Sequence, residues 1–152
     1  MNRIVPLILI AMVGMAACSP PLAFPAPNPT PGGPWEVRLT QTGGLAGVHL
    51  VVLVTSDGEM TAEDGRTGRS ASAPLSESTL QELRRLVQQV TPPRTEKLPS
   101  MCADCFIYDL EITSAIGVQR VQADDSNVGT SGAQSLIDLL TKIRDQALGS
   151  MN

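Results

Sequence analysis

The chain has 152 residues, with 15 acidic side chains against 11 basic ones and one histidine, giving a formal charge of −4 at pH 7. That acid excess excludes the basic face on which nucleic-acid binding depends. A single histidine also leaves little room for a His-dependent catalytic triad, and the length suits one domain with a real core.

The first residues read MNRIVPLILIAMVGMAACSPP. Arg3 and the amino terminus make a positive start, and Ile4 to Val13 form an apolar core of signal-peptide length. A bilayer span would need roughly 20 apolar residues. The segment closes on Met15-Ala16-Ala17-Cys18, small residues placed directly before a cysteine. This resembles the lipobox of bacterial lipoproteins, with Met15 where leucine is usual. The resemblance implies that Cys18 receives a diacylglycerol on its sulfur, that residues 1–17 are removed, and that the mature chain is held to the membrane on its extracytoplasmic face. The alternative is an ordinary cleaved signal peptide with an incidental cysteine. Two or more acyl chains give stable anchoring where one gives only reversible binding. A chain facing outward also sits where disulfides persist.

Residues 18–34 form the next unit. Seven of the twelve prolines fall in SPPLAFPAPNPTPGGP. Proline lacks the N–H and fixes φ, so neither helix nor sheet interior is expected. At about 3.1 Å per residue, a polyproline-rich tether of this length reaches roughly 50 Å.

The folded unit is expected over residues 35–152. WEVRLTQT alternates, with Trp35, Val37 and Leu39 on one face, as a strand does. Gly43 to Gly47 (GGLAG) make a flexible connection to HLVVLVT, a β-branched run that reads as a central strand. Ser56-Asp57-Gly58 signals a hairpin turn into a short strand over Glu59 to Ala62. EDGRTGRSASAP then reads as a polar loop. Leu80, Leu83, Leu86, Val87 and Val90 recur at helical spacing, with Ser76 as N-cap and Leu75 and Leu80 placed for a hydrophobic staple. Pro92-Pro93 stop that helix. FIYDLEIT alternates again, putting Phe106, Tyr108, Leu110 and Ile112 on one face, and a turn near Ser114 to Gly117 leads into VQRVQA. A last helix carries Leu136, Leu140, Ile143 and Ala147 on its apolar stripe, with Ser131 and Gln134 as a capping box. The order is β-β-β-α-β-β-α. It implies an α+β, two-layer domain: an antiparallel sheet of four to five strands with two helices on one face.

Chemistry-bearing residues are few. Cys102 and Cys105 stand three apart ahead of a strand. A redox pair of the thioredoxin type needs a helix N-terminus to lower the first thiol's pKa, and a zinc site needs about four ligands. With Cys18 committed to lipid, a Cys102–Cys105 disulfide is the leading expectation, with a redox pair, a metal half-site or free thiols as alternatives. His49 beside the glycine-rich connection reads as a strand-end residue. Asp109 and Glu111 share a strand's polar face and form an acid–base pair only in principle. Asp124-Asp125 lack the ligand series of a calcium loop. No catalytic residue, metal or cofactor is indicated.

The succession of Thr42-Gly43-Gly44-Leu45-Ala46-Gly47, an apolar strand, an SDG turn, Leu75-Ser76 opening a helix, FIYDLEI and a leucine-rich closing helix is similar to the emfourin-like family over roughly residues 36–148. These small bacterial proteins are known from an inhibitor of protealysin, a thermolysin-like metalloprotease. Taken with the lipobox resemblance at Cys18, the emfourin-like resemblance implies a binding domain displayed by a lipoprotein, with a secreted or envelope metalloprotease as its partner. The second expectation is a structural or accessory envelope lipoprotein with a different partner. The third is a thiol oxidoreductase using Cys102 and Cys105. The candidate contact loop is Gly43, Gly44, Leu45, Ala46 and Gly47, because exposed loops on a rigid sheet are where binding usually sits.

Overall fold

The computed structural model describes residues 33–90, 96–97 and 102–150. The expected signal peptide, Cys18, the expected tether up to residue 32 and the expected Pro92-Pro93 stop lie outside the described residues. The strands are β1 (Trp35–Gly43), β2 (Val48–Thr55), β3 (Glu59–Asp64), β4 (Arg69–Pro74), β5 (Glu96–Lys97), β6 (Phe106–Ser114) and β7 (Gly117–Asp124). Helix α1 (Glu77–Gln89) follows β4, and α2 (Gln134–Gly149) closes the chain after a short 3-10 turn at Val128–Thr130. The sheet order is β4-β3-β2-β1-β6-β7-β5. The six long strands pair antiparallel, and β5 adds two residues parallel to β7. The fold is the expected α+β two-layer domain, with more strands than the four to five expected.

Alternation places the core. Val37, Leu39, Val52, Val54, Leu110 and Ile112 point to one face and are almost fully buried there. Register sets them side by side: Leu39 lies between Val52 on β2 and Leu110 on β6, and Val37 between Val54 and Ile112. Leu80, Leu83 and Leu86 from α1, with Leu136, Ile137, Leu140 and Ile143 from α2, join the same cluster. Both helices therefore share one sheet face, as their one-sided apolar stripes require. The other face carries polar ladders, including Arg120 on Glu111 at 2.6 Å between β7 and β6.

Two local expectations are corrected. Residues 69–74 form strand β4 where a polar loop was expected. RSASAP has little strand propensity, but the β3–β4 turn holds it in register against β3, from Asp64–Arg69 to Glu59–Pro74. The Asp64 carboxylate shapes that turn, accepting from the Arg66 and Thr67 backbone N–H groups and the Thr67 hydroxyl. Tertiary pairing thus overrides propensity, and Pro74 falls at the edge strand's end, where it is tolerated. At α2, the Ser131–Gln134 capping box does not form. Gly132 at φ +71° turns the chain, and the helix begins two residues later, with Ala133 at the cap position. Ser131 Oγ instead donates to the Val128 carbonyl and accepts from the Ala133 N–H. The cap of α1 is as expected: Ser76 Oγ accepts from the Thr79 N–H, and Leu75 packs against the core cluster to which buried Leu80 belongs.

Candidate functional site

Four connections meet at one end of the sheet: the β1–β2 loop, the β3–β4 turn, the residues entering β6 and the turn leaving β7. The β1–β2 loop turns on glycines at φ +92° (Gly43), +68° (Gly44) and +59° (Gly47). A side chain at these angles would be strained. The Gly47 N–H donates back to the Gly44 carbonyl at 2.9 Å, so the loop is a tight turn. At its apex Leu45 is 92% exposed. It does not fold back on the sheet.

Both shoulders of the loop are tied to other elements. On one side the Gly44 N–H donates to the Cys105 carbonyl at 3.2 Å. The fit there is close, since a Cβ on Gly43 would lie 2.6 Å from that same oxygen. On the other side Arg66 Nη1, from the β3–β4 turn, donates to the Ala46 carbonyl at 2.7 Å. His49 lies against Gly65, where an added Cβ would come within 2.4 Å of its Nδ1, which fits the strand-end role expected of it.

Cys102 and Cys105 form a disulfide, with Cα atoms 5.6 Å apart. Cys105 leads straight into strand β6, so no helix N-terminus follows the pair to lower a thiol's pKa. The disulfide closes the small loop whose carbonyl supports Gly44. Just beyond it, Asp125 accepts from the Phe106 backbone N–H at 2.8 Å and from the Tyr108 hydroxyl at 2.9 Å. Burial and the Asp125 carboxylate push the Tyr108 phenol up to about 12.

Beneath this, toward the helices, Gln41 stands opposite Tyr108 in register. Its Oε1 accepts from Arg144 Nη1 at 2.7 Å, and the Arg144 side chain is only 3% exposed. Arg144 also pairs with Asp145 at 2.8 Å. Sequence reading missed Gln41, Arg66, Tyr108, Asp125 and Arg144 as site-forming residues. A signal existed for two of them: Gln41 continues the inward alternation of Trp35, Val37 and Leu39, and Arg144 lies one turn beyond Leu140 on the buried stripe.

The other carboxylates have structural uses. Asp109 accepts from Gln122 and Glu111 from Arg120, each across a registered β6–β7 pair. Asp124 is buried and orders the turn after β7, accepting from the Ser126 N–H while its own N–H donates to Asn127. Among the described residues no three His, Cys, Asp or Glu side chains converge as a metal site would need. This end of the sheet thus sets a backbone-braced apolar apex beside a hydrogen-bonded Tyr–Asp pair.

Comparison with known protein families returns no match. Comparison with curated proteins returns none either.

Proposed function

We propose that the chain is an accessory lipoprotein of the bacterial cell envelope, acting by binding a partner through the Leu45 end of its sheet rather than by catalysis. The observation that carries this is the braced exposure of Leu45. A lone exposed leucine is ordinary on a surface. Here the loop around it is held by the Cys105 carbonyl and by Arg66, and Leu45 itself adds nothing to the core. Bracing a loop before contact lowers the ordering cost of binding. The closed Cys102–Cys105 bond suits the oxidising compartment that the lipobox resemblance implies for this chain.

The test uses a photo-cross-linking side chain placed in the full chain, in cells, at position 45 or at Ser70, an exposed position on β4. Position 45 should yield a discrete adduct that Ser70 does not. The same products from both positions would remove the Leu45 surface from the proposal. A second reading, inhibition of a thermolysin-like metalloprotease, draws on the emfourin-like resemblance and on the same side chain. Under that reading the protein slows such a protease at stoichiometric concentration, and Leu45→Ala weakens the inhibition several-fold with the fold intact. Truncating a buried interface anchor commonly costs more than about 1 kcal/mol. Unchanged protease activity at stoichiometric concentration would leave the accessory-protein reading alone.

A further inference from the structure

Three large apolar side chains stand exposed among the described residues: Leu45 at 92%, Ile116 at 90% and Val118 at 46%. Leu45 belongs to the site above. Ile116 and Val118 sit at the other end of the sheet, on the β6–β7 hairpin. Ser114 faces Gly117 in register there, so only Ala115 and Ile116 make the turn. Two-residue hairpin turns usually carry glycine or small polar residues. This tip keeps a glycine at Gly117 (φ +133°) but otherwise offers Ala115, Ile116 and Val118. The first charged side chains along the hairpin are Glu111 and Arg120, which pair with each other at 2.6 Å.

The chain enters the fold at the same place. Trp35 pairs with Ser114, and a Cβ added to Gly33 would lie 3.6 Å from the Ala115 Cβ. The segment leading back to Cys18 therefore leaves the domain beside the apolar tip.

We infer that the Ala115–Val118 tip docks into the interfacial layer of the bilayer that holds the lipid anchor. This rests on the lipid-anchor reading of Cys18. Fourteen residues separate Cys18 from Gly33, so an extended tether limits the tip to within about 45 Å of the surface. Tethering converts docking into an intramolecular step, so a contact too weak to recruit a free protein is populated. The tip gains by moving Ile116 and Val118 out of water, and its own residues 112–119 carry no charge. With no basic residue between Glu111 and Arg120, the tip gains no attraction from anionic lipid. It also orients the domain. Strand β1 is nine residues long, so the Leu45 loop at the far end stands about 30 Å out from the surface, open to a partner.

The test uses the full lipidated chain in phosphatidylcholine vesicles, with a nitroxide label on Ala115→Cys or, at the opposite end, on Ala46→Cys. Cys102 and Cys105 are closed in their disulfide, and acylated Cys18 does not take the label. On reconstitution the label at 115 should gain collisions with dissolved oxygen and lose collisions with a water-soluble nickel chelate several-fold, while the label at 46 stays aqueous. Ile116→Asp in the Ala115→Cys background should return the label to water with the protein still on the vesicle. In unlabelled protein, hydrogen exchange at residues 115–118 should slow several-fold relative to the detached Cys18→Ser chain. An aqueous label at 115, or unchanged exchange, on protein whose Cys18 is acylated would overturn the docking and leave the anchor standing. Cys18 without acyl chains would overturn both.

Discussion

Replacing Gly43 by alanine probes the support beneath the Leu45 loop, and Gly47→Ala supplies the control. Both glycines have positive φ, +92° and +59°. A β-carbon in the left-handed region costs about 1–2 kcal/mol, partly offset by about 0.4–1 kcal/mol from a stiffer unfolded chain. At Gly47 the new Cβ meets nothing within 4 Å, so the net loss should stay near 1 kcal/mol. At Gly43 the Cβ arrives 2.6 Å from the Cys105 carbonyl oxygen, a backbone atom at the mouth of the disulfide loop. Relieving that overlap shifts β1 or β6 and strains the Gly44–Cys105 hydrogen bond, adding about 1–3 kcal/mol as overpacking does. Gly43→Ala should therefore lose roughly 2–4 kcal/mol in all. Trp35, the single tryptophan and a buried one, reports unfolding in urea without ambiguity. Equal destabilisation by the two variants would show that the Cys105 carbonyl does not support the loop.

Three further outcomes are expected. The only tyrosine, Tyr108, should titrate by phenolate absorbance near 12 rather than at the ordinary 10.0, and Asp125→Asn should lower the midpoint without restoring 10.0, because burial remains the larger cause. Since the folded state holds this proton where an unfolded chain has released it, stability should fall as pH rises from about 10 toward about 12. Changing Cys102 and Cys105 together to alanine should cost only about 2 kcal/mol, because so small a ring removes little chain entropy, while exchange at the Gly44 amide quickens; unchanged Gly44 exchange would separate the disulfide from the loop. Gln41→Leu removes the acceptor for a buried Arg144 N–H and should cost about 1–3 kcal/mol in urea unfolding, whereas a loss within about 0.5 kcal/mol, typical of a surface substitution, would mean that Arg144 finds another acceptor.

Where one face of an element is apolar and the other polar, the sequence announced the structure. The alternation in WEVRLTQT and FIYDLEIT and the leucine spacing of both helices give the layer order, because burial of those faces is what holds the sheet to the helices. Strand β4 was hidden: its alternating serine and alanine carry almost no hydrophobic contrast, and only pairing with β3 makes it a strand. The start of α2 was misplaced because Gly132 breaks the chain between a plausible cap and its helix. The disulfide was legible from cysteine arithmetic. The Leu45 end of the sheet was legible only as a glycine-rich loop. Its supports come from residues 20 to over 100 positions apart, Ala46 with Arg66 and Gln41 with Arg144, and no local pattern encodes such pairings.

Membrane anchoring is the premise on which the proposed envelope partner and the docking of the Ala115–Val118 tip depend. Its most direct measurement is the intact mass of the protein extracted from the envelope without reduction. Expected is a chain beginning at Cys18, carrying at least two acyl groups, with Cys102 and Cys105 two hydrogens lighter than after reduction. A chain that retains Met1, or begins elsewhere with Cys18 unmodified, would contradict a lipid-anchored envelope protein.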